Sequence, residues 1–395
     1  MKKILTTPLT PLRRIALITA LHGAWFWVPI WVLYYRQFTG YGGVALLESL
    51  SMGIHLLMII PGGMLSDWMG RRTLLIIASI LTAIGAAGAG FSPTFSFLVP
   101  SILLLSMAGG FYLASIEALL YDTLKSTGRE HEYERILGKM TTVRMLSAAV
   151  ASALGGWMYS IDPRFPWFMV GLLTTIAALV SFTLKEPRVG MIHDSFASFF
   201  KEAGKGMALL FRQKWRIGIP LIVMGIFFTI DSSGLWDIQA VSFGYSSNQL
   251  GMLLTAAYIF LAGGSLFLPI LLRRFEERSV IIASSFLYAV LWALSGYSFG
   301  IFGAMLLISR SVVSVTFDIK SSVIWNRMIP SSVRATTLST ISILRGLPYI
   351  LVSYHVGRVL DVQGIQPIIF TLAGMLFVVT GLICGVWKGE NKREI

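Results

Sequence analysis

The chain has 395 residues, of which 55% are hydrophobic and 13% are charged, and its formal net charge is +13. Soluble globular domains carry roughly 25% charged residues, so this composition excludes an ordinary soluble domain. Together with a mean hydropathy of +0.74, it predicts a protein that is largely embedded in a lipid bilayer.

Apolar runs of about twenty residues recur along the whole chain, which is the length that crosses a hydrocarbon core about 30 Å thick. A transmembrane β-barrel is excluded, because it needs short alternating strands and not solid apolar runs. The first run is too long for a signal peptide and lacks a convincing small-residue cleavage site, so we interpret it as a retained span. We predict an all-α membrane protein with twelve transmembrane helices, at about residues 15–36, 44–66, 73–91, 97–123, 140–160, 166–184, 217–240, 248–272, 279–298, 301–324, 335–356 and 366–387.

The basic residues are distributed as in a multi-pass membrane protein. If both termini are cytoplasmic, most of the 32 Lys and Arg residues fall in cytoplasmic gaps, and only Arg36, Arg164 and Arg358 fall on the opposite side. This asymmetry follows the positive-inside rule. With an odd number of spans, the basic residues would no longer fall mainly on one side of the membrane. We interpret the net charge as a topology signal with some attraction to membrane lipids, and not as a nucleic-acid binding surface. The expected location is the inner cell membrane, with both termini cytoplasmic.

The longest polar stretch divides the spans into two sets of six. When the second half of the chain is aligned with the first at an offset of 201 residues, Glu117 aligns with Asp318 and Arg144 aligns with Arg345. Charged residues are rare in these spans, so matches at one offset indicate an internal repeat. The polar stretch itself alternates aromatic and basic residues, as in an amphipathic helix on the cytoplasmic surface. We predict two pseudo-symmetric six-helix bundles, over residues 1–190 and 215–395, joined by an amphipathic linker over residues 191–214.

Charged side chains within the predicted spans indicate a polar interior. A charge near the bilayer centre costs roughly 2.5–3.5 kcal/mol on insertion scales, so such groups are expected to face a partner or water. The predicted spans contain Glu48, Glu117, Asp122, Arg144, Asp231, Asp237, Arg310, Asp318, Lys320 and Arg345.

Two acid–base pairs are expected on consecutive antiparallel spans. Glu117 and Arg144 lie at depths that allow an ion pair in the inner half of the membrane, and Asp318 with Arg345 would repeat it. One interpretation is a structural pair that holds two helices together. The other is a pair that opens when a proton or a substrate binds, which would couple proton occupancy to conformation.

Two positions deep in spans one and seven are candidate ligand contacts. Asp231 lies about 21 Å into span seven, and we predict an unpaired protonatable carboxylate or a contact for a cationic substrate; a hydrogen bond to a neighbouring serine or a helix end is the alternative. In span one, Trp25 or Trp27 is placed to stack on a flat or cationic ligand. The alternative for the aromatic residues near Tyr34 is an interfacial belt.

The gap between spans two and three carries Gly63, Asp67, Gly70, Arg71 and Arg72 in the spacing G-x-x-x-D-x-x-G-R-R. This sequence motif resembles the loop between spans two and three of the major facilitator superfamily of secondary transporters. The resemblance covers the whole chain, through the twelve spans, the repeat and the long linker. It implies two bundles that rock about a central site lined mainly by spans one, four, seven and ten.

The resemblance also implies roles for particular residues. The loop residues, together with Asp122, would form a cytoplasmic latch, in which Arg71 or Arg72 pairs with Asp122 and Asp67 meets the start of span eleven, because a helix N-terminus attracts negative charge. We call these residues the latch motif. The predicted substrate and proton cavity contains His22, Trp25, Glu117, Arg144, Asp231, Asp318 and Arg345.

The chain also departs from the family's drug/proton antiporters. Many of them carry an arginine in span four about where this chain has Gly109, whereas here an arginine occurs in span ten, at Arg310. Their fifth-span glycine-proline motif has no proline in this chain. The resemblance therefore indicates a divergent bacterial efflux-type member.

We expect a proton-coupled exporter of small amphipathic compounds that works by alternating access. The first alternative is a proton symporter that imports a polar or anionic metabolite and clamps it with Arg144, Lys320 and Arg345. The second is a non-transporting receptor or lipid-handling protein on the same scaffold. No metal site, catalytic triad or phosphate loop is recognisable, so we expect no enzymatic activity and no cofactor, with the proton gradient as energy source. The expected partners are a small-molecule substrate and membrane lipids, and the expected state is a monomer.

Overall fold

The computed structural model describes residues 10–186, 201, 204–205, 207–208, 211, 215–330 and 333–390. These residues form helices and no strands, which confirms the all-α prediction. The predicted linker helix over 191–214 lies almost entirely outside them and stays a prediction. Within the described parts of the chain, eight helical stretches are long and apolar enough to cross a bilayer, so the chain is a multi-pass membrane protein: Tyr41–Met58, Arg71–Phe91, Phe95–Lys125, Phe165–Phe182, Trp215–Ser242, Glu277–Ser295, Gly300–Met328 and Gln366–Trp387.

The first of two compact units lies within Met1–Phe38, Leu50–His193 and Ser247–Tyr258. Its centre is a buried apolar cluster that includes Leu74, Leu119 and Leu124. The helices of the first part of the chain are α1 Pro11–Gly23, α2 Trp31–Tyr35, α3 Tyr41–Met69, α4 Arg71–Phe91, α5 Phe95–Lys125, α6 Tyr133–Ile161 and α7 Phe165–Phe182.

The first predicted span is not one continuous helix. It breaks between Gly23 and Trp31, and the aromatic residues around the break pack inside the unit. Tyr35 stacks on Trp167 with ring centroids 6.3 Å apart, and the Tyr34 hydroxyl donates to the Ala89 carbonyl at 2.7 Å. Because Tyr34 and Tyr35 are each only 1% exposed, the alternative of an interfacial aromatic belt here was wrong.

The second unit lies within Thr39–Ser49, Asp194–Ser246 and Ile259–Ile395. Its span over Trp215–Ser242 is also irregular, because it contains a π-helical turn, Asp231–Leu235, in which Gly234 has φ of 134°. Glycine adopts this backbone conformation readily, and π-turns often occur at functional sites. The remaining helices are α8 Trp215–Ile230, α9 Trp236–Ser242, α10 Ser247–Leu271, α11 Glu277–Ser295, α12 Gly300–Met328, α13 Arg334–Gln363 and α14 Gln366–Glu390.

One helix contact recurs in both units. In the first unit α1 passes close to α6, since a Cβ added at Gly23 would lie 2.9 Å from Cγ of Arg144. In the second unit α8 passes close to α13, since a Cβ at Gly225 would lie 2.5 Å from Nε of Arg345. The internal repeat that the sequence predicts is therefore matched by an equivalent helix contact, a glycine against an arginine, in each unit.

Candidate functional site

Arg71 is the centre of the latch motif at the start of α4. Its guanidinium pairs with the carboxylate of Asp122 on α5, lies 3.7 Å from the Asp67 carboxylate and donates to the Ala118 carbonyl at 2.9 Å. Asp122 is 3% exposed, so solvent screens this ion pair little. The predicted pair with Asp122 is confirmed for Arg71. The contact of Asp67 with span eleven stays a prediction.

Glu186, just after α7, is a member of this cluster that sequence reasoning missed. Its carboxylate accepts hydrogen bonds from the backbone N–H groups of Arg71 at 2.7 Å and Arg72 at 3.0 Å. These N–H groups have no partner within α4, and a negative charge at a helix N-terminus is favourable. Gly70 has φ of 95° and lies so close that an added Cβ would approach the carboxyl carbon of Glu186 to 2.9 Å. The only sequence signal was an acid beside Lys185 in an otherwise basic segment.

Glu117 and Arg144 line the same cavity of about 40 Å³ in the first unit, together with Thr19 and Tyr112. They do not form the predicted ion pair. Arg144 packs along Gly23, its Nε is buried without a hydrogen-bond partner in the described parts of the chain, and Glu117 is exposed. The prediction of a pair was wrong for this half, because helix packing and not the carboxylate positions the arginine.

The matching pair of the second unit is present. The Arg345 guanidinium donates to the Asp318 carboxylate at 3.2 Å, and the same guanidinium lies 5.9 Å from the ring of Phe317. The Asp318 side chain is 52% exposed. An exposed pair of this kind contributes only about 0–1 kcal/mol to stability, so it holds the helices weakly.

Neither His22 nor Trp25 lines the cavity of the first unit, but His22 contacts its wall. The His22 ring stacks on Tyr112 with centroids 4.2 Å apart, and its Nε2 lies 2.8 Å from the Ser79 hydroxyl. The Trp25 ring meets the ring of Tyr258 at 6.3 Å. His22 is therefore held by structural contacts, one of which is a residue of the cavity wall.

Asp231 is the acid of a buried ion pair in the second unit. Arg310 of α12 approaches it with two nitrogens: Nη2 contacts Oδ1, and Nε donates to Oδ2 at 3.2 Å. Arg310 is 0% exposed and Asp231 is 2% exposed. The prediction that Asp231 is unpaired was wrong, because its partner lies 79 residues away in sequence and only folding brings the two together.

A shell of polar groups completes this pair. The Tyr288 hydroxyl and the Trp292 indole nitrogen donate to Asp231, the latter at 3.2 Å. Arg310 Nη1 donates to the Gln239 side-chain oxygen and to the Ser295 hydroxyl at 3.2 Å. We call Asp231, Arg310, Gln239, Tyr288, Trp292 and Ser295 the α8–α12 network. Since buried charges are tolerated only when paired and hydrogen-bonded, this network accounts for both charges within the span.

Lys320 does not face the cavity residues. Its ammonium group donates to the backbone carbonyls of Leu272 at 2.8 Å and Phe275 at 3.3 Å, at the end of α10. Carbonyls at a helix C-terminus lack partners within the helix, and a cation there is favourable. The position is a structural helix cap.

The sequence model of the Major Facilitator Superfamily matches residues 15–236, which is more than half of the chain. The chain belongs to this superfamily. Membership of this superfamily points to a membrane transporter.

Among similar sequences, the quinolone resistance protein NorA of Staphylococcus aureus strain MSSA476 is 23% identical over 273 residues. The match covers 67% of this chain and 66% of NorA, so the chain spans just under two thirds of that relative's length. Multidrug resistance protein 1 of Bacillus subtilis strain 168 is 22% identical over 195 residues, which are 49% of this chain and 48% of that protein.

Solved structures show the same fold at low sequence identity. The nucleoside transporter NupG has a TM-score of 0.77 and 18% identity, with 96% of this chain and 100% of NupG covered. A D-xylose–proton symporter has a TM-score of 0.67 and 13% identity, with 96% and 98% covered. These solved structures support the fold and leave substrate and direction open.

Proposed function

We propose that this superfamily member exports small amphipathic compounds in exchange for protons, by alternating access. The proposed architecture has twelve spans in two six-helix bundles, 1–190 and 215–395, joined by a cytoplasmic linker at 191–214. Both termini are cytoplasmic, the protein is a monomer in the inner membrane, and the proton gradient is the energy source. Likeness to the quinolone resistance protein NorA supports the direction and the substrate class.

The observation that carries the proton coupling is the α8–α12 network. Asp231 sits where the helix is irregular, at a π-turn, and its carboxylate is held by a cation and two neutral donors. Adding a proton to Asp231 would remove the charge that holds Arg310, and a buried arginine without a counter-ion favours a rearrangement that gives it a new partner. Protonation and helix movement are thereby linked in one cluster.

A second element is the cavity of the first unit. Glu117 is an exposed acid on the wall of this cavity, so a proton can reach it from the cavity side. We assign Glu117 the role of contact for the exported compound, and Asp231 the role of the coupling acid. Asp318, in a weak exposed pair, is a secondary proton site.

One observation favours the alternative of an importing proton symporter. Arg144 is partly buried, and its Nε has no hydrogen-bond partner in the described parts of the chain. A polar or anionic group of a metabolite that reaches Arg144 would supply this partner. Solved structures similar to this chain include a nucleoside transporter and a D-xylose–proton symporter.

Proteoliposomes with an imposed pH gradient separate the two functions. A fluorescent amphipathic cation should move against the proton gradient in wild-type vesicles, and the signal should fall by at least about tenfold in Asp231→Asn, the effect of losing one charge-assisted interaction. Glu130→Gln, at an exposed position between α5 and α6, is the matched control and should transport normally. Dye movement that does not respond to the pH gradient would refute proton coupling. Movement of proton and solute in the same direction would favour the symporter.

A further inference from the structure

The start of α3 packs closely on the end of α13, and both segments belong to the second unit. A Cβ added at Gly357 would lie 2.5 Å from the Tyr41 carbonyl oxygen and 2.9 Å from Cβ of Ala45. One turn further along, the hydroxyls of Ser49 and Ser353 are in contact. Because the contacts recur at four-residue steps in opposite directions, the two helices run antiparallel here. We call this contact the α3–α13 seam, formed by Tyr41, Gly42, Ala45, Ser49, Ser353, Gly357 and Asp361.

Asp361 closes the seam at the N-terminus of α3. Its carboxylate accepts hydrogen bonds from the backbone N–H groups of Tyr41 at 2.8 Å and Gly42 at 3.0 Å. The first N–H groups of a helix have no partner within that helix, and they attract a negative charge. A single carboxylate therefore caps a helix that begins 320 residues earlier in the sequence.

The polar groups of the seam have other partners when the two helices separate. Asp361 is exposed, so water can replace both of its hydrogen bonds. The Ser49 hydroxyl also donates to the Ala45 carbonyl at 2.5 Å, so it keeps a partner on its own helix. A polar contact holds tightly when its loss would leave buried groups unpaired. The seam is therefore suited to reversible opening.

Tyr349 makes the closed seam less favourable. It lies four residues before Ser353, on the same face of α13, and is 5% exposed. Its hydroxyl is buried without a hydrogen-bond partner in the described parts of the chain. A buried hydroxyl that lacks a partner opposes the state that buries it. The closed seam is thus held by the Asp361 cap and opposed by the Tyr349 hydroxyl.

The seam lies at the end of α3 that is opposite to the latch motif. Arg36 and Arg358, which the charge distribution predicts on the outer side, are close to the two segments in sequence. α3 has 29 residues and is therefore about 43 Å long. Its last turn contains Asp67 of the latch motif. One helix thus makes a contact at each end.

We propose that Asp361 is a releasable clamp for α3, and that the protein opens on its predicted outer side by parting the α3–α13 seam. This inference rests on the alternating access proposed above. Release of the carboxylate frees the start of α3 from α13, and because the helix is one rigid element, its far end at the latch motif moves with it. Asp361 acts as a positioning residue and does not contact the transported compound.

Cysteine labelling of the purified full-length protein in lipid nanodiscs tests the clamp. The reporter is Ser353→Cys, at a position that is 2% exposed, combined with Cys384→Ala, which removes the one native thiol. A water-soluble maleimide should label the reporter about fivefold faster after Asp361→Ala, because the capping carboxylate is lost. Asp361→Asn keeps an acceptor oxygen and should change the rate by less than about twofold. Tyr349→Phe should slow labelling about fivefold, because the unpaired hydroxyl is removed.

Two controls separate release of the clamp from other effects. Asp162 is an exposed acid whose carboxylate accepts a local hydrogen bond from the Arg164 N–H at 2.8 Å, and Asp162→Ala should leave the labelling rate unchanged. A second reporter, Ser285→Cys on α11, is 0% exposed and should stay unlabelled in Asp361→Ala. Unchanged labelling of the first reporter in Asp361→Ala, or faster labelling of both reporters, would overturn the proposal.

A cross-link tests the role of the seam in transport. In the double variant Ser49→Cys, Ser353→Cys, oxidation should form a disulfide between α3 and α13, since the two serine hydroxyls are in contact. Dye transport in proteoliposomes should then fall at least about tenfold and return after reduction. Undiminished transport by the cross-linked protein would overturn the proposal. If the wild type does not move the dye, the proposed function fails, whereas labelling needs neither a solute nor a proton gradient and still decides on the clamp.

Discussion

Removal of the Asp231 charge is predicted to destabilise the protein far more than the same change in an exposed acid. In Asp231→Asn, Arg310 at 0% exposure keeps only neutral partners such as Gln239 and Ser295. Breaking one partner of a buried pair costs about 3–5 kcal/mol, and each kcal/mol lowers Tm by about 2–4 °C for a unit of 150–250 residues. The expected decrease in Tm is therefore roughly 6–20 °C.

Asp318→Asn is the matched control in the same unit. Its pair with Arg345 involves a carboxylate that is 52% exposed, so the expected loss is about 0–1 kcal/mol and Tm should fall by at most a few degrees. Both variants are measured by intrinsic tryptophan fluorescence of the purified protein during heating in one detergent.

A double-mutant cycle completes the test. Arg310→Met alone leaves Asp231 as a buried anion, whereas the double variant Asp231→Asn, Arg310→Met contains neither charge. The double variant should melt above the more damaged single variant, because no uncompensated charge remains. If the two single effects simply add, or if Asp231→Asn melts like Asp318→Asn, the ion pair does not stabilise the unit in the way that we infer.

Three other changes have expected outcomes. Glu186→Gln should cost about 0.5–2 kcal/mol through loss of the charge that caps α4, against a smaller effect of Glu130→Gln, at an exposed position, in the same melting assay; equal effects would contradict the capping role. Gly23→Ala should cost about 1–3 kcal/mol because the new methyl group meets the backbone of α6, whereas Gly138→Ala, where a Cβ meets nothing within 4 Å, should be neutral or stabilising. Lys320→Met should lower Tm and leave transport per folded molecule intact; loss of solute binding with unchanged Tm would show instead that the lysine clamps substrate.

The sequence alone determined the membrane class and the superfamily resemblance, and that resemblance implied that Arg71 or Arg72 pairs with Asp122; the structure selects Arg71. Composition and the length of apolar runs are properties of the chain itself, because the bilayer sets how many apolar residues a helix needs. The loop residues of the latch motif, Gly63 to Arg72, were also recognisable, since they are close together in the chain and their spacing does not depend on the rest of the fold. The match of Asp318 with Arg345 followed from a repeat visible at a single sequence offset.

Only the tertiary structure decided which charges meet. Asp231 and Arg310 were both visible as charges within spans, but nothing in the sequence paired residues on helices α8 and α12. Glu117 and Arg144 seemed matched by depth, yet the contact at Gly23 fixes the arginine along α1 and away from the acid. Depth along a helix can be counted from the sequence at 1.5 Å per residue, whereas the direction in which a side chain points depends on the rotation and crossing of helices, which packing alone sets.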